Sequence, residues 1–194
     1  MRSDMKQVHR HTTLVSCLAL LGMQLHAQTP PVASSALPQG AKVVSGQATV
    51  TQTAPNALSV GQTSNRAVVD WNSFNIGSQA SVQFTQPNAS SVVLNRVLDT
   101  NPSQIMGRLS ANGQVFISNP AGVLFGPTAQ VNVAGLVATT QAISNDDFNQ
   151  FGAALAVNGH QGAVVNQGQI TAALGGYIAL LAPEVRNEGV LLAR

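Results

Sequence analysis

Short apolar runs separated by turn residues recur along the chain from Val43 onward. Each run has about the length of a strand and is rich in Val, Ile, Leu, Phe and Thr, and Gly, Asn, Pro or Ser residues bound it. The clearest runs are 48–51, 67–71, 81–84, 91–94, 114–117, 130–133, 163–165 and 177–181. Helical periodicity is weak except at 145–154, where Phe148 and Phe151 indicate a short helix or an ordered loop. The pattern predicts an all-β protein.

An internal repeat indicates how the strands are arranged. Residues 166–172 match residues 187–193 as Asn-x-Gly-x-(Ile/Leu)-x-Ala, at an offset of 21 residues. Repeats of this length are typical of solenoids, in which each unit buries its apolar edge against the next. Because no helical segment separates the predicted strands of the repeat, the unit fits one coil of a parallel β-helix.

The scarcity of charge supports stacked coils. Charged residues make up 8% of the chain, and none occurs from residue 109 to residue 145. In a stacked parallel sheet, like charges one coil apart would lie about 4.8 Å from each other, so few are expected. Asn side chains can bond along such a ladder, and Gly allows tight corners. A β-sandwich remains the alternative.

The charged residues also exclude several classes of function. Nine Lys and Arg residues stand against seven Asp and Glu residues, and Arg2, Lys6 and Arg10 lie at the extreme N-terminus. No basic cluster remains for a nucleic-acid surface. Glycoside hydrolysis needs two carboxylates about 5 to 9.5 Å apart, and no pair among the acids stands out. His160 has no catalytic or metal-binding motif around it. We therefore expect no enzymatic activity, no cofactor and no metal.

The N-terminus predicts export. A basic segment is followed by the apolar run 14–23 and a polar, Pro-containing break, which is typical of a secretory signal peptide over 1–27 with cleavage after Ala27. An N-terminal anchor is the alternative. Residues 28–41 are expected to form a loose lead-in. The single cysteine, Cys17, lies inside the predicted signal peptide, so the exported chain is expected to fold without disulfides. The general secretion machinery is the implied first partner.

A series of longer motifs identifies a family. In order along the chain they are 67–77, 84–97, 101–116, 119–126 and 130–140. Together they resemble the N-terminal secretion domain of filamentous haemagglutinin-like exoproteins, the passengers of two-partner secretion in Gram-negative bacteria, and the resemblance covers about 39–194. It implies a right-handed single-stranded parallel β-helix with an N-terminal cap and extra-helical β elements over 42–194. Because family members usually continue for many more coils, we expect the C-terminus to be truncated.

The resemblance also implies a function. Such a domain is the export label of its exoprotein. Periplasmic domains of a dedicated outer-membrane β-barrel transporter recognise it, unfolded or partly folded, and the chain passes through the periplasm to the cell surface or the medium. The alternative is a surface adhesin module that binds a host glycan or protein directly.

The best-known motif of the family is Asn-Pro-Asn-Gly, and here it reads Asn119-Pro120-Ala121-Gly122. Asn-Pro-x-Gly is still a strong turn signal, so we expect the corner to form. The side-chain amide at the third position is missing. If that amide contacts the transporter in the family, export is expected to be weaker.

Further residues of the family motifs are candidates for structural or recognition roles. They are Trp71, Asn95, Arg96, Asn112 and Gly113. We expect Trp71 to pack with Phe74 as a cap on the first coil, with an exposed partner contact as the alternative. Arg96 and Arg108 are expected to be solvated, and pairing with Asp99 or contact with the transporter are their alternatives.

Overall fold

Short strands joined by tight turns make up most of the structure, a computed structural model that describes residues 31–149 and 162–194. The strands follow the apolar runs because alternate side chains of each run can face a common interior. Their bounds are β1 Lys42–Ser45, β2 Ala48–Ala54, β3 Ala57–Gln62, β4 Arg66–Trp71, β5 Ser81–Thr85, β6 Val92–Val97, β7 Ser103–Ile105, β8 Arg108–Ala111, β9 Gln114–Ser118, β10 Val123–Phe125, β11 Gln130–Val133, β12 Gly135–Thr139, β13 Ala163–Asn166, β14 Gln169–Ala172, β15 Ile178–Leu181, β16 Glu184–Asn187 and β17 Val190–Ala193. One short helix, α1, spans Asn145–Asn149 within the described residues.

The strands of the described ranges form three sheets that the chain visits in a fixed rotation. Sheet A has the order β1-β4-β6-β9-β12-β15, sheet B the order β7-β10-β13-β16, and sheet C the order β2-β3-β5-β8-β11-β14-β17. From β5 onward the strands follow the order sheet C, sheet A, sheet B, and successive coils pair in parallel. In the first coil, β3 and β4 contribute to sheets C and A, and Ile76 forms only an isolated parallel bridge with Ile105. The result is a parallel β-solenoid of about 5 turns. The predicted fold class is confirmed, and the β-sandwich alternative is wrong.

Antiparallel strands close the N-terminal end. β1 pairs with β4 and β2 pairs with β3, both antiparallel. β1 and β2 have only antiparallel partners, so they lie outside the parallel coils and form the N-terminal cap with its extra β elements. The predicted lead-in is not loose over its described part. Leu37 is buried in the core, and Gln39 forms a β-bridge with Ser73. The buried side chain of Leu37 and a few backbone hydrogen bonds fix this segment, although its composition predicted a loose lead-in.

The register explains the internal repeat. Asn166 lies opposite Asn187, and Ile170 lies opposite Leu191, in neighbouring coils. The repeat is therefore one coil. The Asn166 side chain donates from Nδ2 to Asn187 Oδ1 at 2.8 Å, which is the amide contact between coils that the sequence predicted.

Apolar side chains fill the interior of the solenoid along its length. Inward positions on the three sheets are buried, and they include Val60, Phe84, Val93, Ile117, Phe125, Val131 and Leu136. A second, smaller apolar cluster lies outside sheet A, where Ile143 and Phe148 cover outward residues of that sheet. Burial of this continuous apolar interior supplies the main stabilisation of stacked coils.

Several predictions concern residues beyond the described ranges. Outside these ranges lie the predicted signal peptide at 1–27, with its cleavage site at Ala27 and with Cys17, and also His160. The second half of 145–154, predicted as a short helix or an ordered loop, lies outside them as well. In the described part of the chain, α1 falls where the sequence indicated a helix, and no helix is long and apolar enough to cross a membrane.

Candidate functional site: the motif turn and its supporting residues

The motif turn is built around a buried asparagine. Asn119 is fully buried after the end of β9, and the Gly122 N–H donates to the Asn119 carbonyl at 2.9 Å to close the turn. The Asn119 side chain accepts from the Ala121 N–H at 2.9 Å and donates to the Asn101 carbonyl at 3.1 Å. Gly122 has a φ of +127°, which L-residues rarely adopt. The predicted corner therefore forms, and one side chain holds it to the previous coil.

Pro120 and Ala121 are half-buried at the surface of this turn, and Ala121 lines a groove. The groove has a volume of about 650 Å³ and runs over the outer face of sheet B. Its lining is mainly apolar and includes Pro102, Ala121, Leu124 and Val165, with Arg186 at the far coil. Position 121, where the family motif has a side-chain amide, therefore borders an apolar surface that is open to solvent.

Trp71 and Asn95 meet inside the solenoid. The Trp71 Nε1–H donates to Asn95 Oδ1 at 3.0 Å, and Asn95 Nδ2 donates to the Phe116 carbonyl at 3.2 Å. Trp71 and Phe74 are buried and their rings pack edge to face, with centroids 5.4 Å apart. The two motif residues thus tie β4, β6 and β9 together, and Trp71 packs internally rather than as an exposed contact.

Asn112 and Gly113 support the corner before β9. Asn112 Oδ1 accepts from the Gln86 N–H and Asn112 Nδ2 donates to the Gln86 carbonyl, both at 2.7 Å. The Asn112 side chain therefore satisfies both backbone groups of Gln86 in the preceding coil, as a neighbouring strand would. A Cβ on Gly113 would lie 2.6 Å from Gln86 Oε1 and 2.8 Å from the Ser91 carbonyl oxygen. Only glycine fits this packing.

Arg96 is not solvated, and its partner is not Asp99. Its guanidinium binds both oxygens of Asp70, at 2.7 and 3.1 Å, and the two residues lie opposite each other on β6 and β4. Arg96 also donates to the Ile143 carbonyl and to Asn145 Oδ1. The expectation that Arg96 is solvated was wrong because the parallel register places Asp70 directly opposite it, and the alternative partner, Asp99, does not form this pair. Arg108 is exposed, as expected.

Acidic side chains at the C-terminal coil pair with a base. Glu184 and Glu188 lie 3.1 and 4.0 Å from Arg186, and all three are well exposed. Across 31–149 and 162–194, no group of three His, Cys, Asp or Glu side chains could hold a metal ion.

Comparisons with known proteins agree with this architecture. A family model described as the TPS secretion domain matches residues 34–193. Two heme/hemopexin-binding proteins of Haemophilus influenzae are 43% identical over 140 residues and 42% identical over 124 residues. The crystal structure of the HMW1 secretion domain from Haemophilus influenzae is similar with a TM-score of 0.75 and 36% identity, over 80% of this chain and 42% of that one.

A parallel β-solenoid with this match along its length is a secretion domain of two-partner secretion. The chain belongs to the TPS secretion domain family. Such domains are non-enzymatic modules that a cognate transporter recognises, and exoproteins that carry them reach the cell surface or the extracellular space. The match favours this interpretation over a host-binding adhesin module.

The alignments cover only part of the relatives. They include 69% and 64% of this chain but 15% and 13% of the two heme/hemopexin-binding proteins. The similarity therefore concerns the secretion domain of much longer proteins.

Sequence reasoning missed two supporting residues. Gln86 joins the corner of Asn112 to Gln62, whose Oε1 accepts from Gln86 Nε2 at 3.1 Å. Arg66 places its guanidinium 5.1 Å from the centroid of the Phe148 ring. Gln86 lies inside the 84–97 motif but carries no distinctive signal alone. Arg66 could have been found as the base directly before the apolar run 67–69.

Proposed function

We propose that this domain is the export label of an exoprotein and that an outer-membrane β-barrel transporter with periplasmic recognition domains reads it. The predicted signal peptide delivers the chain to the general secretion machinery, and the chain crosses the periplasm before the transporter passes it outward. Family membership supports the partner, and the predicted signal peptide supports the route.

The geometry of the motif turn supports its role in recognition. Asn119 is committed to the fold by its hydrogen bonds, so it has little left to offer a partner. Pro120 and Ala121 remain partly exposed, and Ala121 lines one edge of the apolar groove. We infer that the transporter reads the shape of the turn through these two positions, and that Asn119 and Gly122 act by positioning them.

The remaining chemistry suits a chain that folds after passage. Charges are few, which lowers the electrostatic cost of moving along a pore. Contacts in a solenoid are mostly between neighbouring coils, so folding can propagate as the chain emerges. Folding outside the cell then prevents return. Before folding, the short apolar strands can add to the edge of a transporter sheet, where backbone hydrogen bonds supply affinity.

The test is export of the full chain in cells with and without the transporter. Pro120→Ala removes the ring from the motif turn while leaving its backbone hydrogen bonds in place. Pro127→Ala is the matched control, because Pro127 holds the same position in the next turn, which the Ala129 N–H closes onto the Gly126 carbonyl at 2.9 Å. We expect transporter-dependent export that Pro120→Ala reduces and Pro127→Ala preserves.

A third variant tests the departure from the family motif. Ala121→Asn restores the side-chain amide, and we expect it to raise the exported fraction. Export that is equal with and without the transporter would refute the proposed function. Equal effects of Pro120→Ala and Pro127→Ala would refute the role of this particular turn, while leaving the export label intact.

A further inference from the structure

Residues 141–149, here called the strap, leave the repeating coil after β12 and lie across the outer face of sheet A. The strap contains α1 and presents two buried apolar side chains, Ile143 and Phe148. Ser144 caps the helix, because its Oγ accepts from the Asp147 N–H at 3.0 Å and donates to Asp147 Oδ2 at 2.7 Å. The strap is therefore a locally ordered unit rather than a loose connection.

Two arginines hold the strap by its backbone. Arg66, at the start of β4, donates to the Phe148 carbonyl and lies over the Phe148 ring. Arg96, on β6, donates to the Ile143 carbonyl at 3.3 Å and to Asn145 Oδ1 at 3.1 Å. These bonds join positions 82 and 47 residues apart in the chain. Paired residues of the first coils are closer in sequence, as for Asp70 of β4 and Arg96 of β6, which are 26 residues apart.

Apolar packing reaches a third strand. The Phe148 ring packs edge to face on Phe116 of β9, with centroids 6.0 Å apart, and the Ser118 hydroxyl of β9 donates to the Gln141 carbonyl. Ile143 and Phe148 complete a cluster with outward side chains of successive strands of sheet A, namely Val68, Val92, Leu94, Phe116 and Val137. The strap thus contacts β4, β6 and β9 at once.

We propose that the strap is a staple that makes the first coils unfold as one unit and that it closes only after they have formed. In a solenoid each coil contacts only its neighbours, so stability is a sum of local terms and the ends can open separately. A segment bound to three coils prevents the coils from opening separately, because opening any one of them breaks contacts that hold the strap. The surface of sheet A to which the strap binds does not exist until β4, β6 and β9 are stacked. The proposal concerns folding and stands independently of transporter recognition.

The test compares two probes of unfolding in the full chain. Trp71 is the only tryptophan, and its fluorescence reports on β4, whereas far-ultraviolet circular dichroism reports on all strands. In the unmodified chain we expect both probes to give one coincident denaturant transition. In Phe148→Ala we expect them to separate, with the Trp71 signal lost first. The matched control is Phe125→Ala, which removes an equally buried ring from the solenoid interior. It should shift both curves together.

A milder variant and a second measurement guard against simple failure to fold. Phe148→Leu keeps an apolar side chain but loses the ring contacts with Phe116 and Arg66. We expect amide hydrogen exchange in β4 and β6 to rise by about tenfold or more, while β10 and β13 of sheet B stay protected. During refolding, the Phe148 amide, which donates to the Ser144 carbonyl, should become protected no earlier than β9. Coincident probes in Phe148→Ala, uniform exchange changes, or earlier protection of Phe148 would overturn the proposal.

Discussion

Removal of the Asn95 side chain tests the polar connection inside the first coils. Asn95 is fully buried, and it accepts from the Trp71 indole and donates to the Phe116 carbonyl. In Asn95→Ala both bonds disappear. The indole N–H, on a side chain that is only 1% exposed, is left without its acceptor in an apolar interior.

The magnitude follows from what remains unsatisfied. A buried donor without a partner costs about 1–3 kcal/mol, whereas the net contribution of a satisfied hydrogen bond is about 0.5–1.5 kcal/mol. The small cavity left by the carboxamide adds to this loss. We therefore expect Asn95→Ala to lower the free energy of unfolding by about 2–4 kcal/mol. With a urea slope of about 2 kcal/mol per molar, the midpoint should fall by about 1–2 M.

The assay is urea denaturation followed by circular dichroism, and a double-mutant cycle isolates the bond. Trp71→Phe removes the orphaned donor, so Asn95→Ala should cost about 1–2 kcal/mol less in that background. Asn132→Ala is the control, because Asn132 is exposed on β11, and it should change stability by less than about 0.5 kcal/mol.

Two results would refute this reasoning. One is a loss below about 1 kcal/mol in Asn95→Ala, which would mean that the buried indole finds another acceptor or that water enters. The other is an equal loss in the Trp71→Phe background, which would show that the cost arises from packing and not from the hydrogen bond.

Three further predictions concern the turn, the ion pair and pH. Gly122→Ala should destabilise the domain by about 1–3 kcal/mol because of its φ of +127°, and denaturation should show a larger loss than for Gly175→Ala, where φ is +75° in open space. Asp70→Asn should lower stability by about 1–2 kcal/mol, since Arg96 is partly buried, and a loss that vanishes in Arg96→Gln would confirm the pairing. Burial raises the pKa of the Tyr177 hydroxyl above its ordinary 10.0, so the folded chain holds this proton more tightly. The raised pKa therefore contributes stability that is fully present at pH values below the ordinary pKa of 10.0, and this stability is lost as pH rises through the folded pKa. Ultraviolet titration of this single tyrosine should show the raised pKa, and Tyr177→Phe should flatten the alkaline loss of stability.

The solenoid could be predicted from the sequence because the features that indicate it recur along the chain. Apolar runs of strand length, the repeat at 166–172 and 187–193, and the stretch without charge each reflect a requirement of every coil. The structure places the repeat copies opposite each other. A repeated signal is strong even where each copy is weak, so the fold class did not depend on any single residue.

The partners of individual residues were harder to predict, because they depend on register between coils. Arg96 was expected to be solvated, with Asp99 as an alternative partner, yet its partner Asp70 is 26 residues away and directly opposite. The bond between Trp71 and Asn95 spans 24 residues and is hidden for the same reason. Coil lengths vary, so sequence spacing does not reveal which residues face each other.

The docked segments were the least predictable part. Leu37 and Phe148 lie in segments without a strand pattern, and their burial depends on contacts with residues elsewhere in the chain. Local composition therefore indicated a loose lead-in for the first, although it correctly indicated a helix or ordered loop around the second. The recognition role of Pro120 and Ala121 stays a prediction.

The amide contact between Asn166 and Asn187 has a consequence for how such domains change over evolutionary time. The same side chain returns at the same corner one coil later, at 2.8 Å from its predecessor. Gene duplication of the coil that runs from Asn166 to Asn187 would again place one Asn opposite another at this corner. A single-residue insertion within a strand would instead exchange its interior and surface side chains. Length variation in these domains should therefore come in whole-coil steps, with smaller insertions confined to the corners.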